Sequence, residues 1–489
     1  MMRHWKLSDT GSCSRLLFSG VIAAALLSGN AAGEKRVGKA YDSIDPMQVY
    51  GYCSELASPK YAGRLTGHEG YTGASQWAAG KFKEWGLKPV SGADGYLLPF
   101  ECPYTIVESA SMMIMRQGED GKELAVLDDF MPMLYTDGGE VEAGFVFAGW
   151  GINAPELGYD DYAGLDVDGR FILCFRGTPD RAEEGYKEHD HHRMRMETAK
   201  AMGAAGLFYI YDEPMANPNG EVLESFICGM ISAATADSIL ASKNLTSDGL
   251  KRSLRDEKKP DSFDLECRAR FSAQVVHHPE GVGYNVAAVL EGSDPDLKDE
   301  CVILGAHLDH CGEHMGMIFP GAQDNATGSA VVMEIAEAFS RLDKRPARSG
   351  VFVLFGAEEM GLLGSYDFAD HAILHYDAID AMFNFDMVGE GDGINCGVTV
   401  DPEGLRDTVM KADERVSALD RTWDIKNVGV RSSDYAPFFL KGAACAALFS
   451  NGPHLHYHKP GDTIYRINPD MMADAARLGF LSARMRAER

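Results

Sequence analysis

Two short motifs carry side chains that could bind a metal ion. His307-Leu308-Asp309 follows an apolar run, and at a strand end residues two apart share one face. Asp309 could then accept the proton on the imidazole nitrogen that faces away from a metal, which fixes the tautomer. Glu358-Glu359 follows another apolar run, and two buried carboxylates are costly without a compensating cation or proton. A solvated charged loop would also explain the two glutamates.

Three further candidate ligands lie in later segments. Asp324 stands in a loop that leads into a helix, where Asp324 or Asn325 could simply cap the helix. Asp386 follows the apolar run 381–385, where an unpaired buried carboxylate would be expensive. His458 lies in a loop with proline and glycine, and histidines in surface loops commonly have no role. Each signal is modest alone.

The second half of the chain alternates strands with helices, which predicts an α/β fold with a mostly parallel or mixed sheet flanked by helices. The predicted strands are Cys301–Ala306, Val351–Ala357, Ala378–Asp386 and Ala443–Ser450. The predicted helices are Ala326–Leu342, Leu362–Leu374 and Met471–Arg484. His307, Glu358 and Asp386 then fall at strand ends, and ligands of such sheets bind beyond the carboxyl ends of the strands.

The earlier part of the chain has a different texture. Within residues 33–100, Asp45–Leu87 is predicted to form a helix, a loop and a second helix, with one apolar helix face over Glu69–Trp85. Residues 101–261 contain short strand-like runs and one good helix near His191–Met202. The predicted runs are Ser111–Met115, Gly144–Gly151, Gly169–Gly177 and Gly206–Tyr211. We therefore expect an N-terminal segment at 33–100, a β-rich domain at 101–261 and the main α/β domain at 262–489.

The N-terminus predicts export. Arg3, Lys6 and Arg15 precede the apolar run Leu16–Leu27, and small residues follow up to residue 32. This order is typical of a secretory signal peptide, here residues 1–32, and predicts a periplasmic or extracellular protein. No later stretch approaches 18 apolar residues, so we expect no integral membrane segment after signal removal.

Charge and cysteines narrow the classes of function. The formal net charge of −27 repels phosphate backbones, which argues against a nucleic-acid partner. The cysteines are scattered singly, so neither a zinc knuckle nor a disulfide scaffold is indicated. The oligomeric state is left open.

As an ordered set, five motifs resemble the M28 family of metallopeptidases. They are AHLDH at 306–310, GAQDNATGSA at 321–330, FGAEEMGLLGS at 355–365, FNFDMVG at 383–389 and YHKPGDT at 457–463. The resemblance implies a di-zinc exopeptidase fold. It also implies that His307 and Asp386 bind one zinc ion, Glu359 and His458 bind the other, and Asp324 bridges them. Cobalt or manganese would suit the same donors.

The resemblance also implies the catalytic groups. Glu358 would be the general base, Tyr457 would steady the oxyanion, and Asp309 would orient His307. The Asp324–Asn325 peptide bond is expected to be cis. His310, in the same loop as Asp309, is a candidate for contacting a ligand from outside.

The middle block resembles the protease-associated domain that is inserted in exported M28 enzymes. The residues that carry this are Phe145–Ile152, Gly158–Gly164 and Gly169–Gly177. Such a domain would cover the cleft and influence substrate access. A passive spacer is the alternative.

The expected function is removal of N-terminal residues from peptides, with water activated by Glu358. A carboxypeptidase on the same scaffold would need a cation to grip the substrate carboxylate, and Arg431 keeps that alternative open. A glutaminyl cyclase would use similar ligands. A non-catalytic binding protein is less favoured, because it would have no need of the base Glu358.

Overall fold

The computed structural model describes residues 38–90, 92–118, 120–180, 184–372, 378–400, 404–427 and 432–488. The expected signal segment 1–32 lies outside these residues. Among the described helices, none has both the length and the apolar character to cross a membrane.

The strands of the described residues are numbered in chain order. They are β1 (Leu97–Glu101), β2 (Tyr104–Met115), β3 (Lys122–Glu123), β4 (Phe130–Pro132), β5 (Gly139–Ala148), β6 (Asn153–Ala154), β7 (Tyr159–Asp160), β8 (Phe171–Phe175), β9 (Gly206–Tyr211), β10 (Ile227–Ser232), β11 (Ser262–His278), β12 (Val282–Leu290), β13 (Glu300–His307), β14 (Gly312–His314), β15 (Met317–Phe319), β16 (Ser349–Phe355), β17 (Ala378–Phe385), β18 (Gly393–Val398), β19 (Leu419–Asp424) and β20 (Cys445–Asn451).

The α-helices of the same residues are numbered in the same way. They are α1 (Pro46–Leu56), α2 (Glu69–Glu84), α3 (His192–Ala201), α4 (Ala233–Leu240), α5 (Ser247–Glu257), α6 (Thr327–Ser340), α7 (Leu363–Asp367), α8 (Leu405–Val416), α9 (Ala436–Leu440) and α10 (Pro469–Ala487). Most predicted elements are confirmed with small shifts at their ends. The helix expected at 362–374 is shorter, because α7 gives way to a separate turn at Phe368–Ala372.

An eight-stranded mixed sheet forms the larger part of the molecule, in the order β1-β12-β16-β13-β17-β20-β18-β19. Its central strands β16, β13, β17 and β20 are parallel neighbours. The buried strand β13 sends Val302 and Leu304 to one core, which α1, α6 and α10 complete, and Cys301 and Ile303 to the other. Burial on both faces explains why this strand is a continuous apolar run. The predicted fold class is confirmed.

A second eight-stranded sheet has the order β3-β2-β11-β5-β8-β9-β10-β4. We call residues 104–278 the middle unit, and the described residues in 38–101 and 282–488 the main unit. Because β11 pairs with β2 and β5, strand pairing carries the middle unit to His278, past the boundary expected at 261. The main unit is therefore assembled from two separated lengths of chain, joined where β1 pairs with β12.

Candidate metal centre

Four neighbouring strands deliver the candidate ligands to one edge of the first sheet. His307 ends β13, the pair Glu358-Glu359 follows β16, and Asp386 follows β17. His458 lies in the loop after β20. Since these strands are parallel, their carboxyl ends meet at the same edge. Asp324 reaches the edge from the turn Ala322–Ala326, which leads into α6.

The first group of ligands surrounds the imidazole of His307. Its Nε2 lies 3.3 Å from Asp324 Oδ1 and 3.3 Å from Asp386 Oδ1. The second oxygen of Asp386 accepts a hydrogen bond of 2.6 Å from the Ser433 hydroxyl, which in turn accepts one from Asn384. One Asp386 oxygen is thus held by the Ser433 hydroxyl, and the other faces His307 Nε2.

The second group surrounds His458. Its Nε2 lies 3.1 Å from Asp324 Oδ2 and 2.9 Å from Glu359 Oε2. The remaining oxygen of Glu359 is 2.8 Å from His310 Nδ1, so His310 contacts a candidate ligand from outside. Asp324 therefore turns one oxygen to each histidine, and the two groups share it.

The donors fit zinc. His458 Nε2 is buried and makes no hydrogen bond, although two carboxylate oxygens lie close to it. Ligands bound to one tetrahedral zinc at about 2.0–2.1 Å stand roughly 3.3 Å apart, close to the separations in both groups. Imidazole nitrogens and carboxylate oxygens are ordinary zinc ligands.

The electrostatics of the edge follow from its burial and its mixed charges. Burial opposes ionisation of Asp324, but His307 and His458 hold its pKa well below the usual range. Burial likewise opposes ionisation of Glu359, yet the neighbouring His458 lowers its pKa to about 2. Burial and the adjacent Glu359 raise the pKa of Glu358 well above that of a free glutamate, against the opposing effect of His307. The pKa of Glu358 is thus raised, whereas that of the adjacent Glu359 is lowered.

Asp309 connects its own motif, His307-Leu308-Asp309, to the pair Glu358-Glu359. Its carboxylate is fully buried and lies 3.7 Å from His307 Nδ1, which also lies 3.3 Å from the Asp309 carbonyl oxygen. The same carboxylate accepts the backbone N–H groups of Glu358 at 3.1 Å and Glu359 at 3.3 Å. The Asp309 carboxylate therefore holds the backbone of the glutamate pair and faces the imidazole.

A cleft of about 500 Å³ opens over the ligands, and both units line it. The main unit contributes Glu358, His458 and Tyr457, whose ring stacks on the His458 imidazole with centroids 3.8 Å apart. The middle unit contributes Arg176 and Asn217. The expected cation Arg431 lies outside the described residues.

Asp462 and Asn325 accept hydrogen bonds that hold the turn of Asp324 in place, and the sequence alone predicted neither contact. Asp462, which belongs to the YHKPGDT motif but had no expected role, accepts the N–H groups of Gln323 at 2.8 Å and Asp324 at 3.1 Å. Asn325 accepts from the N–H of Met387 at 3.1 Å, beside Asp386. The expected cis bond between Asp324 and Asn325 is confirmed.

Arg64 was missed by the sequence reasoning. It is fully buried and donates to four carbonyl oxygens at 2.7–2.8 Å, those of Leu56, Leu308, Pro320 and Gly321. The guanidinium group of Arg64 thus connects the N-terminal segment to the loop that follows His307 and to the loop of Asp324. A lone arginine carries no motif by which sequence could find this role.

Residues 285–481 match the model of peptidase family M28. This segment therefore resembles an M28 peptidase domain.

Curated relatives match over part of their length. The chain is 33% identical over 174 residues to leupeptin-inactivating enzyme 1 of Streptomyces exfoliatus, covering 35% of this chain and 37% of the relative. It is 31% identical over 222 residues to an aminopeptidase of Pseudomonas aeruginosa, covering 39% and 38%. A probable leucine aminopeptidase of Trichophyton verrucosum is 30% identical, covering 38% and 53%. The matched part of the chain thus spans between 37% and 53% of these relatives.

Solved structures share the fold of nearly the whole chain. The aminopeptidase of Aneurinibacillus sp. strain AM-1 has a TM-score of 0.64 at 22% identity and covers 93% of this chain and 96% of its own. A peptidase M28 precursor of Shewanella amazonensis has a TM-score of 0.67 at 20% identity, with 94% and 96% covered. A zinc aminopeptidase of Bacillus subtilis has a TM-score of 0.60 at 18% identity, with 90% and 94% covered. The fold formed by the main unit and the middle unit therefore recurs in these structures.

Proposed function

We propose that the protein is an exported two-zinc exopeptidase that removes N-terminal residues from peptides. The observation that carries the proposal is the placement of Asp324, whose two oxygens face His307 and His458 separately. In this assignment Asp386 completes the first zinc site and Glu359 completes the second. Two zinc ions there would acidify a shared water molecule and polarise the scissile carbonyl.

The chain's own groups then have distinct tasks. Glu358 is outside both ligand groups and lines the cleft, so it is free to take the proton of the attacking water and pass it to the leaving amine. Its raised pKa suits a group that must both take and release a proton. Tyr457, fixed by stacking on His458, would donate a hydrogen bond from its hydroxyl to the developing oxyanion.

We assign the middle unit as a protease-associated domain that forms one wall of the cleft. Arg176 and Asn217 of this unit line the same cavity as Glu358. A passive spacer would have no reason to line the same cavity as the proposed base.

The direction of attack depends on which end of the peptide the cleft binds. The carboxylates at the ligand edge are assigned to zinc and to proton transfer, so a substrate α-ammonium would need another carboxylate, and Asp190 lines the same cleft. Arg176 in the same cleft favours the second candidate, a carboxypeptidase, because its guanidinium could pair with a substrate carboxylate. We favour the aminopeptidase because relatives of the matched segment are named aminopeptidases.

Blocked peptides test the direction. N-terminal acetylation should abolish cleavage, because it removes the ammonium group, whereas C-terminal amidation should change the rate little. The measurement is kcat/KM on matched free, acetylated and amidated peptides. Cleavage that survives acetylation and fails on amidation would identify a carboxypeptidase instead.

Elemental analysis tests the metal assignment. Protein purified without chelators should contain about two equivalents of zinc, cobalt or manganese. Active protein with no metal would overturn the scheme.

A further inference from the structure

The middle unit reaches one of the proposed zinc ligands directly. The Nδ1 of His458 donates a hydrogen bond of 2.8 Å to the carbonyl oxygen of Ala216, since a carbonyl can only accept. The N–H of Ala216 donates in return to the His458 carbonyl oxygen at 3.1 Å. With its proton on Nδ1, His458 has the Nε2 lone pair directed at Asp324 and Glu359.

The two proposed zinc histidines therefore differ in their outer support. The Nδ1 of His307 faces the carbonyl and carboxylate of Asp309, two residues away in the same loop. The corresponding nitrogen of His458 faces a residue of the other unit, 242 positions away in sequence. Outer hydrogen bonds of this kind set the tautomer and direction of a ligating imidazole.

Packing holds Ala216 at this position. It is fully buried in a small apolar cluster that contains Val107 and Leu134 of the middle unit and Cys311 and Phe319 of the main unit. The methyl group is thus enclosed by both units, and a larger side chain would push the backbone away.

An ion pair beside the ligand reinforces the same contact. Lys459, the residue after His458, pairs with Glu213, which precedes Ala216 in the middle unit. The Glu213 side chain is 73% exposed, so its charge can be changed without disturbing a core.

We propose that the loop 213–217 of the middle unit positions His458 for zinc, so that the second zinc site is complete only when both units are docked. This inference rests on the proposed two-zinc function. Ala216 is a positioning residue that acts through its backbone, and the zinc equivalent held at His458 and Glu359 depends on it. The equivalent held at His307 and Asp386 does not.

Ala216→Leu tests the proposal by forcing the backbone out of the mixed cluster. We expect the affinity for one of two zinc equivalents to fall about 10–100-fold, the usual effect of losing an outer partner, while the other equivalent keeps its affinity. Stepwise zinc affinities are measured by chelator competition on the full chain. Ala110→Leu is the matched control, because Ala110 packs against the same cluster without a hydrogen bond to His458. It should leave both affinities within twofold of wild type.

Exchanging the charges of Glu213 and Lys459 gives a second test of the proposal that leaves the core intact. Glu213→Lys places two cations together and should selectively weaken the same zinc equivalent, and the double variant Glu213→Lys/Lys459→Glu should restore it. Selective loss in Ala216→Leu and Glu213→Lys, with rescue in the exchange, supports the proposal.

Two zinc affinities unchanged in both variants, or equally weakened together with the thermal stability of the metal-free protein, would overturn it. If the exchange variant fails to recover the affinity, the ion pair does not steer the loop and the proposal is likewise overturned. A wild-type protein that binds fewer than two zinc ions would instead refute the proposed function.

Discussion

Replacing Arg64 by lysine should destabilise the protein strongly while preserving its charge. The guanidinium donates to four carbonyl oxygens that lie around its planar fork. A lysine ammonium concentrates its donors at one point and cannot reach all four. If two bonds are lost, at about 1.5–3 kcal/mol for each charged donor, the free energy of unfolding falls by about 3–6 kcal/mol.

The effect should extend to zinc, because Leu308 lies between His307 and Asp309, and Gly321 begins the turn of Asp324. Urea unfolding of the chelator-treated protein gives the stability change without the contribution of bound metal, and chelator competition gives the zinc affinity. Arg252→Lys is the matched control. Arg252 is exposed, so this change should stay within about 0.5 kcal/mol. An Arg64→Lys variant within about 1 kcal/mol of wild type would refute the reasoning.

The remaining predictions concern carboxylates. Glu358→Gln should keep its zinc while kcat falls about 10²–10⁴-fold, and Glu359→Ala should lose zinc, with activity partly restored by added zinc; the opposite pattern of zinc content would show that the roles are exchanged. Asp462→Ala removes the acceptor for two N–H groups of the Asp324 turn and should lower zinc affinity, and an unchanged affinity would contradict this. Burial, with nearby Glu337, raises the pKa of Glu334 to about 7, above about 4.3 for an unfolded chain. The stability that Glu334 contributes is therefore fully present below the unfolded-chain pKa and is lost as the pH rises through the folded-state pKa. Glu334→Gln cannot ionise, so it should lose about 2 kcal/mol less between pH 5 and pH 8 in urea unfolding, and identical losses would argue against the shift.

Local patterns predicted part of the ligand edge. His307, Glu358 and Asp386 each follow an apolar run, and parallel strands must bring such ends together. Asp324 and His458 were expected there only because the ordered motifs resemble a known family. The spacing of β11 also has a plain strand signature, with buried and exposed residues alternating over much of its length. The alternation does not specify a neighbouring strand, and the sequence analysis placed a domain boundary at 261, directly before this strand. Assigning β11 to a sheet required knowledge of its pairing with β2 and β5.

Contacts that form only when distant segments pack together could not be predicted from the sequence. Arg64 looks like any arginine in a polar segment, and its partners at Leu308 and Gly321 are distant in sequence. Ala216 has no reactive group at all, because its contribution is a backbone carbonyl placed by tertiary packing. Ala216 acts through its backbone, and Arg64 acts through a guanidinium whose partners only the folded chain brings together.

The division of the main unit into two lengths of chain has a consequence for synthesis. Residues 97–101 leave the ribosome well before residues 282–290, with which they pair. At about 5–20 residues per second, translation of the intervening chain takes roughly 10–40 s. By the end of that interval every strand of the middle unit's sheet has been synthesised, so this unit can fold before β12 is complete, while the apolar faces of α1 and α2 have no sheet to cover. Those two helices are therefore the segment of the nascent chain that we expect a chaperone to hold longest.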